Sequence, residues 1–283
     1  MADWLAEFMA EERLPDSFRL AFDEVCRPLA DRCLDWRRDF GRPARVGLCG
    51  AQGSGKSTIA AATVRLLKDA GLNAVTISID DFYLGREARA WMAQQAHRLF
   101  QVRGPPGTHD VALACTVMDH VVGSGTTPLP AFDKATDERQ PKRAWRWFEG
   151  PADVVILEGW CVGAIPEPVE RLVPNLNALE REQDPTRVWR TQVNRALTEG
   201  YQALFSRLDR LVLLEAPSFD VVRDWRAEQE AKLRERTGFG MSEAEVARFV
   251  QHYERLTRWI LDEMPGRADW VVPLDAARMP VVY

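Results

Sequence analysis

Short runs of apolar residues alternate along most of the chain with longer segments in which apolar residues recur every three or four positions. Several short runs are apolar at successive positions, which predicts strands buried on both faces, at residues 45–49, 74–79, 153–158, 210–216 and 269–274. The longer segments predict helices at residues 56–70, 86–100, 110–122, 186–207, 219–236 and 242–263. This alternation favours an α/β three-layer fold with a mainly parallel, five-stranded sheet.

Residues 1–40 precede this pattern and predict helices of their own. Their apolar positions fall at helix spacing, at Trp4, Leu5, Phe8, Met9, Phe18, Phe22, Val25 and Leu29. We interpret them as an N-terminal helical extension packed on the main domain, with a partner-binding helix as the alternative. The sequence "GRPAR" at 41–45 breaks the helical pattern, so residues 41–283 are predicted to form one domain.

The hydrophobic content, net charge and cysteine count limit the classes of protein to which the chain can belong. The 283 residues are 46% hydrophobic, enough for one large domain, and the formal net charge of −5 gives no electrostatic reason to expect a nucleic-acid partner. The five cysteines have no clustered ligand spacing, which suits a reducing compartment, and we interpret Cys49 and Cys161 as small buried packing residues. No apolar run has the length of a signal peptide or a membrane span. We therefore expect a cytoplasmic protein with no membrane partner.

The segment "GAQGSGKS" at 50–57 matches the pattern G-x-x-x-x-G-K-[ST] and lies between a predicted strand and a predicted helix. Its glycines allow a tight turn that points backbone N–H groups at phosphate oxygens, and the helix N-terminus adds a favourable dipole. Lys56 is expected to reach the β- and γ-phosphates and Ser57 to ligate Mg²⁺. The predicted ATP-binding residues are Gly50, Gly53, Ser54, Gly55, Lys56, Ser57 and Thr58.

Acidic residues follow two other predicted strands. Glu158 ends "VVILE", where a carboxylate suits Mg²⁺ directly or through a water. Asp80 and Asp81 follow "AVTISI", and ligands of open α/β sheets lie at that carboxyl edge. One of the two carboxylates is predicted to orient or deprotonate an attacking hydroxyl, although the pair also fits a loop-capping residue with a bystander. The chain contains no N-K-x-D, so nothing marks a guanine-specific switch.

These residues together resemble the phosphoribulokinase and uridine kinase superfamily of P-loop kinases. The resemblance includes "DDFY" at 80–83, "PAFDKATDER" at 130–139 and "ADWVVP" at 268–273. Asp137 stands where uridine kinases carry a histidine, which argues against a nucleoside acceptor. The resemblance implies a P-loop NTPase fold with a helical lid.

The chain is more closely similar to the D-glycerate 3-kinase family over roughly residues 40–275. Its blocks occur in that family's order, as "RGPPGTHD" (103–110), "FDK" (132–134), "EGWCVGA" (158–164), "NLN" (175–177) and "WRAEQE" (225–230). The segment between "FDK" and "EGW" looks shorter than in plant members, as expected of a bacterial-type member. That difference falls in a predicted substrate loop and leaves the acceptor open.

The resemblance implies roles for individual residues. Asp80 matches the catalytic carboxylate and acts with Lys56, while Ser57 and Glu158 match the metal site. The lid covers about 218–250, where Arg223 or Arg226 closes over the transferring phosphate. Glycerate carries a carboxylate, so its site needs cationic or hydrogen-bonding groups near Asp80, and the candidates are Arg103, His109, Asp110, Lys134 and Arg139. A structural, hydrogen-bonded histidine is the alternative for His109, and packing is the favoured interpretation of Tyr253.

The predicted function is transfer of the γ-phosphate of ATP, with Mg²⁺, to D-glycerate to give 3-phosphoglycerate. Two alternatives remain: a kinase of the same superfamily for another small hydroxylated metabolite, and a nucleotide-binding regulator without transfer activity. The expected partner is a small-molecule substrate, and the oligomeric state is left open.

Overall fold

A five-stranded parallel sheet forms the centre of the computed structural model, which describes residues 4–237 and 240–281. Its strands are β1 (Ala44–Gly50), β2 (Ala74–Ser78), β7 (Val154–Gly159), β8 (Arg210–Glu215) and β9 (Trp270–Pro273). They lie in the order β2-β7-β1-β8-β9. The fold is therefore the predicted one, and each predicted strand lies within a residue or two of its observed bounds.

Helices cover both faces of the sheet, as buried parallel strands require. The α-helices are α1 (Leu5–Glu11), α2 (Phe18–Ala21), α3 (Arg27–Phe40), α4 (Lys56–Asp69), α5 (Arg86–Gln95), α6 (Val111–His120), α7 (Ala178–Gln183), α8 (Val188–Ala196), α9 (Gln202–Phe205), α10 (Phe219–Thr237) and α11 (Glu243–Glu263). Alternate strand residues point to opposite faces. Val212 and Leu214 join a core with the N-terminal helices, α4 and α10, whereas Leu211 and Leu213 join a core with α6, α9 and α11. The three layers follow from this alternation.

The N-terminal helices pack into the first of these cores. Their buried apolar side chains include Leu5, Met9, Phe18, Phe22, Val25 and Leu29, at the spacing seen in the sequence. Burying each such side chain contributes about 1.5–3 kcal/mol. Cys49 and Cys161 are also fully buried, which confirms that they are packing residues.

Three predictions about local structure need correction. The helix predicted at 86–100 ends at Gln95 and is followed by a separate 3₁₀ turn at Arg98–Gln101. The helix predicted at 186–207 consists of α8, a π-helical turn at Leu197–Tyr201 and α9. The segment between "FDK" and "EGW", predicted as a substrate loop, contributes one strand to each of two antiparallel strand pairs.

These pairs are β3 (Gly125–Leu129) with β6 (Arg146–Gly150), and β4 (Phe132–Asp133) with β5 (Glu138–Arg139). We call residues 132–139 the Lys134 hairpin. Within the described ranges, no helix combines the length and apolar composition needed to cross a membrane.

Candidate active site

The phosphate loop, residues 50–57, connects the end of β1 to the start of α4. Gly53 and Gly55 have φ angles of +81° and +84°, a conformation that glycine adopts without steric cost. A Cβ on Gly50 would lie 2.7 Å from the hydroxyl oxygen of Ser54, so that glycine also leaves room for the turn. The segment has the compact backbone and helix N-terminus that bind phosphate groups.

Glu158 lies beside the phosphate loop at the end of β7. Its Oε1 accepts a 2.9 Å hydrogen bond from the Ser57 hydroxyl. The side chain is buried, and no described residue hydrogen-bonds to its Oε2. An unpartnered buried carboxylate oxygen next to a hydroxyl fits a bound Mg²⁺, which takes oxygen ligands and uses one or two carboxylates together with substrate phosphates. The described residues contain no group of three or more His, Cys, Asp or Glu that could hold a metal ion on its own.

Asp80 lies at the same sheet edge, in a 3₁₀ turn directly after β2. Ser78 of β2 pairs with Glu158 of β7, so the strand register places Asp80 and Glu158 at the same edge of the sheet. Tyr83 donates to Oδ1 of Asp80 at 2.8 Å, and the Lys134 ammonium donates to Oδ2 at 2.6 Å. Burial alone would raise the pKa of Asp80, but the charges of Lys134 and Lys56 and these hydrogen bonds outweigh it and hold that pKa well below its usual range. Asp80 is ionised and oriented before any ligand binds.

The adjacent Asp81 has a different environment. Its Oδ1 accepts a 3.1 Å hydrogen bond from the backbone N–H of Phe132, which attaches the Lys134 hairpin to the turn after β2. Burial, reinforced by the charges of Asp80 and Glu158, raises the pKa of Asp81 to about 6. The two aspartates therefore differ: Asp80 is stabilised as an anion and Asp81 is a structural tether.

A cavity of about 200 Å³, which we call the Asp80 cavity, opens between the phosphate loop, the Lys134 hairpin and helices α10 and α11. Its polar and aromatic wall consists of Gln52, Gly53, Lys56, Ser57, Ser78, Asp80, Tyr83, Arg103, Lys134, Arg226, Gln229, Phe249 and Tyr253. At about 30 Å³ per water molecule, this volume suits a small ligand. Its cationic side chains, arranged around one ionised aspartate, have the charges that complement a small anion with a hydroxyl group.

Two of the five predicted substrate residues, Arg103 and Lys134, line this cavity. Arg103 is held by an ion pair with Asp137, which also pairs with Arg89 at 2.5 Å. The Arg89 side chain is 2% exposed and donates to the backbone oxygens of Leu84 and Gln101. Asp137 is thus a fixed link between a buried arginine and one at the cavity wall. Lys134 is 60% exposed, so its side chain has room to move.

The other three predicted substrate residues do not line the Asp80 cavity. Asp110 accepts from Arg139 at 3.1 Å and also caps the N-terminus of α6. Arg139 donates further to the backbone oxygens of Phe82 and Tyr83. Because their polar groups are used to join the Lys134 hairpin to the turn after β2, Asp110 and Arg139 position that hairpin.

His109 lies behind Tyr83, with ring centroids 4.4 Å apart, and only 5% of it is exposed. Its Nδ1 hydrogen-bonds with the Tyr201 hydroxyl. Burial lowers the pKa of His109 to about 4, so the ring is neutral at physiological pH. It supports Tyr83, which in turn donates to Asp80, and supplies no cation to the cavity.

The two candidate lid arginines occupy different positions on α10. Arg226 lines the Asp80 cavity, forms an ion pair with Glu230 and lies over the Phe249 ring at 5.3 Å. Arg223 is 49% exposed and contacts Asp220 and Asp224 on its own helix. Of the two candidate lid arginines, only Arg226 lies at the Asp80 cavity. The predicted lid segment also includes 238 and 239, which lie outside the described residues.

Helices α10 and α11 also touch the phosphate loop and the segment that carries Arg103. A Cβ on Gly53 would lie 2.7 Å from the Cβ of Trp225, so α10 packs directly on the loop. On α11, the Tyr253 hydroxyl donates to the backbone oxygen of Arg103 at 2.9 Å. A Cβ on Gly104 would lie 1.9 Å from the same hydroxyl oxygen, so only glycine fits there. Tyr253 therefore does more than fill the core: it fixes the backbone beside Arg103.

Comparison with known proteins identifies the family. The model of the phosphoribulokinase / uridine kinase family matches residues 45–177, which hold the phosphate loop, Asp80, the Lys134 hairpin and Glu158. An uncharacterized kinase, mug58, from Schizosaccharomyces pombe is 37% identical over 225 residues, covering 75% of this chain and 79% of the relative. The chain belongs to the phosphoribulokinase / uridine kinase family.

Two further similarities concern proteins named for one substrate. The chloroplastic D-glycerate 3-kinase of Arabidopsis thaliana is 29% identical over 224 residues, which cover 75% of this chain and 46% of the plant protein. The solved structure of D-glycerate 3-kinase from Cryptococcus neoformans superposes with a TM-score of 0.76 at 25% identity, covering 91% of this chain and 97% of that one. Like its family, this protein is a P-loop kinase, an ATP-dependent phosphotransferase.

Proposed function

We propose that this kinase phosphorylates the 3-hydroxyl of D-glycerate, with ATP as the phosphate donor. The observation that carries the proposal is the composition of the Asp80 cavity, in which an ionised aspartate is surrounded by the cationic side chains of Lys56, Arg103, Lys134 and Arg226. D-Glycerate is a small anion with a primary hydroxyl. Its carboxylate can pair with the cationic side chains, and its hydroxyl can hydrogen-bond to the aspartate. Similarity to two proteins named D-glycerate 3-kinase supports the same acceptor.

Asp80 is the group that acts on the acceptor hydroxyl. Its lowered pKa makes it a weak base in the resting enzyme, so its first task is to accept a hydrogen bond from the hydroxyl and align it with the γ-phosphorus. As the new O–P bond forms and the bond between the β,γ-bridging oxygen and the γ-phosphorus breaks, the hydroxyl proton passes to Asp80 and then to solvent. Late proton transfer suits the loose transition state of phosphoryl transfer. The products are 3-phosphoglycerate, ADP and a proton.

Lys56 and Arg226 stabilise the charge that is spread over the transferring phosphate. Both line the cavity that contains Asp80, and the guanidinium of Arg226 presents planar donors to phosphate oxygens. Ser57 and Glu158 would hold Mg²⁺, for which the unpartnered oxygen of Glu158 is suited. When bound, Mg²⁺ neutralises negative charge on the β- and γ-phosphates.

The carboxylate of the acceptor is assigned to Arg103, assisted by Lys134. Asp137 holds Arg103 in place from behind, so the guanidinium needs little further ordering to bind a carboxylate with two hydrogen bonds. Lys134 is paired with Asp80 at 2.6 Å when no acceptor is bound. On binding, its mobile side chain moves from Asp80 to the acceptor carboxylate, which frees Oδ2 of Asp80 for the hydroxyl.

The experiment that tests this function is ADP release from ATP and Mg²⁺ with D-glycerate, L-glycerate, glycerol and uridine as acceptors. We expect kcat/KM for D-glycerate to exceed that for the uncharged glycerol by at least about a hundredfold, since a paired carboxylate contributes about 3 kcal/mol. Arg103→Met should remove most of that preference. Equal rates with D-glycerate and glycerol, or turnover of uridine alone, would refute the proposed acceptor.

A further inference from the structure

Both oxygens of the Asp80 carboxylate have hydrogen-bond partners within the protein itself. The Tyr83 hydroxyl donates to Oδ1 at 2.8 Å, and the Lys134 ammonium donates to Oδ2 at 2.6 Å. Tyr83 is buried and stacks on His109, whereas the Lys134 side chain is 60% exposed. Of these two partners, only Lys134 has room to leave, and its departure exposes one oxygen of the carboxylate.

Water competes with any acceptor at this site. At about 30 Å³ per molecule, several water molecules fit in the Asp80 cavity of about 200 Å³, and each carries an O–H group as an acceptor alcohol does. If Asp80 aligns a water with the γ-phosphorus of ATP, the water oxygen bonds to phosphorus and the bond to the β,γ-bridging oxygen breaks. The water proton passes to Asp80 and then to solvent, and the products are ADP, inorganic phosphate and a proton. A kinase avoids this side reaction by withholding its proton acceptor from water.

We propose that Lys134 determines the preference of this kinase for its acceptor over water. Its ammonium occupies Oδ2 of Asp80 until the negative charge of an acceptor carboxylate draws it away, and only then is Asp80 available to a hydroxyl. The inference rests on the proposed function, in which the acceptor carries a carboxylate, and extends the role of Lys134 from binding the acceptor to preventing hydrolysis of ATP.

The backbone of the Lys134 hairpin is fixed on both sides of the lysine. The hairpin is attached to the turn after β2 by the N–H of Phe132 and by Arg139, which donates to two backbone oxygens of that turn. Within the hairpin, the Asp133 carboxylate accepts from the N–H of Ala135 at 2.8 Å and from the hydroxyl of Thr136 at 2.9 Å. An exchange of partners therefore requires rotation of the lysine side chain alone.

The ion pair distinguishes the two nucleophiles by charge. Because Lys134 is largely exposed, solvent screens its pair with Asp80, and the pair is weak enough to be exchanged. A carboxylate bound at Arg103 in the same cavity offers the ammonium a second anionic partner. Water carries no charge and offers none, so it leaves the ammonium on Asp80.

The other cations of the cavity do not replace Lys134 at Asp80. Arg103 and Arg226 each form an ion pair with a different carboxylate, and among the residues that the structure describes Lys134 alone forms one with Asp80. Burial raises the pKa of Asp80, and the charge of Lys134 is the largest of the effects that oppose it. Removing Lys134 therefore frees Oδ2 and makes Asp80 a stronger base, and both changes favour attack by water.

The first test measures release of ADP and inorganic phosphate from ATP and Mg²⁺ by the full-length protein with no acceptor present. We expect Lys134→Met to hydrolyse ATP at least about fivefold faster than the wild type, a small part of the 10²–10⁴-fold that a positioned proton acceptor contributes. Lys134→Arg, which keeps the charge, should show a smaller increase. The matched control is Lys142→Met, at an exposed position that does not line the cavity, and it should behave like the wild type.

A double variant shows whether the increase depends on Asp80. In Lys134→Met/Asp80→Asn the increase should disappear, because the group that Lys134 withholds from water is then absent. A general loosening of the hairpin would instead raise hydrolysis with or without Asp80. Hydrolysis by Lys134→Met within about twofold of the wild type, or an increase that persists in the double variant, would overturn the inference.

The second test uses D-lactate, which has the carboxylate and the 2-hydroxyl of D-glycerate but lacks the 3-hydroxyl. It should draw Lys134 from Asp80 and leave water in the place of the missing hydroxyl. We therefore expect D-lactate to raise ATP hydrolysis by the wild type at least about threefold and to have no further effect on Lys134→Met. Potassium chloride at the same ionic strength is the control. Absence of stimulation in a wild-type protein that phosphorylates D-glycerate would overturn the inference.

The measurement without acceptor does not depend on D-glycerate. Faster hydrolysis by Lys134→Met, in a protein that fails to phosphorylate D-glycerate, would support the role of Lys134 and refute the proposed acceptor. Phosphorylation of D-glycerate by the wild type, together with unchanged hydrolysis by Lys134→Met, would do the reverse.

Discussion

Replacing Asp80 by asparagine removes one negative charge from the Asp80 cavity and keeps the size of the side chain. The variant cannot accept the proton of the acceptor hydroxyl. Positioned proton acceptors contribute about 10²–10⁴-fold to rate, so kcat with D-glycerate should fall by that factor, or about 3–5 kcal/mol in the activation barrier. ATP affinity should stay within about threefold of the wild type, since the phosphate loop is unchanged.

The effect on folding should be much smaller. Asp80 is 24% exposed and Lys134 is 60% exposed, so solvent screens their ion pair, and losing it should cost no more than about 1 kcal/mol of unfolding free energy. The contribution of Asp80 to the free energy of unfolding also depends on pH. Because the pKa of Asp80 is lowered in the folded state, this contribution is stabilising above about pH 4 and is lost as the pH falls further. A large loss of rate with a small loss of stability at pH 7.5 would identify a chemical role.

The assay is ADP release coupled to NADH oxidation, with urea denaturation of the same samples. Asp81→Asn is the matched control, because Asp81 is adjacent but tethers Phe132 and does not line the cavity. We expect it to lower kcat less than about tenfold. A kcat for Asp80→Asn within fivefold of the wild type would exclude Asp80 as the proton acceptor, and a large loss for Asp81→Asn alone would assign the role to Asp81.

Three further predictions address other parts of the site. Arg226→Lys should lower kcat by roughly tenfold or more because a planar donor is lost, whereas the kcat of Arg223→Lys should stay within about twofold of the wild type. Equal effects of the two substitutions in steady-state kinetics would contradict the choice of Arg226. Glu158→Gln should raise the Mg²⁺ concentration needed for half-maximal rate by about tenfold or more, and Glu149→Gln, at an exposed position, is the control. An unchanged Mg²⁺ dependence in Glu158→Gln would show that Glu158 is not part of the metal site. Because burial lowers the pKa of His109 to about 4, its NMR signals, assigned through His109→Gln, should remain those of a neutral ring from pH 8 to pH 5; a titration midpoint near 6.5 would contradict its placement behind Tyr83.

Much of the fold was predictable from the sequence for physical reasons. The sheet strands are buried on both faces, so β7 is apolar at successive positions and is recognisable without knowledge of its neighbours. The phosphate loop is recognisable because its chemistry requires glycines and a lysine at fixed spacing between a strand and a helix. The placement of Asp80 and Glu158 at one edge of the sheet was predictable because parallel strands end at the same edge.

The substrate-binding residues were only partly predictable. The five candidates Arg103, His109, Asp110, Lys134 and Arg139 all lie in segments near that edge, but the orientation of most of them depends on the Lys134 hairpin. The strands of this hairpin have two residues each, too few to show a periodic pattern, and its position is set by contacts with the turn after β2. These long-range contacts direct Arg139 to the turn after β2, and Asp137 of the hairpin holds Arg103 at the cavity wall. His109 is held away from the cavity by its contacts with Tyr83 and Tyr201.

Other residues that shape the site come from distant parts of the chain. Tyr253 reaches the Arg103 backbone across 150 positions, and its helical spacing alone indicates only packing. Arg278 contacts Gly53 across 225 positions, and no local pattern marks that contact. Asp137 did give a signal, since it stands where uridine kinases carry histidine, but its ion pairs with Arg89 and Arg103 required the structure.

The proposed reaction is tested by the ³¹P and ¹H NMR spectra of the product formed from D-glycerate, ATP and Mg²⁺ by the wild-type protein. We expect stoichiometric ADP and 3-phosphoglycerate, with phosphorus coupled to the two protons of the terminal carbon, and little free phosphate. Phosphate on the 2-hydroxyl, or ADP and free phosphate with unchanged D-glycerate, would contradict it.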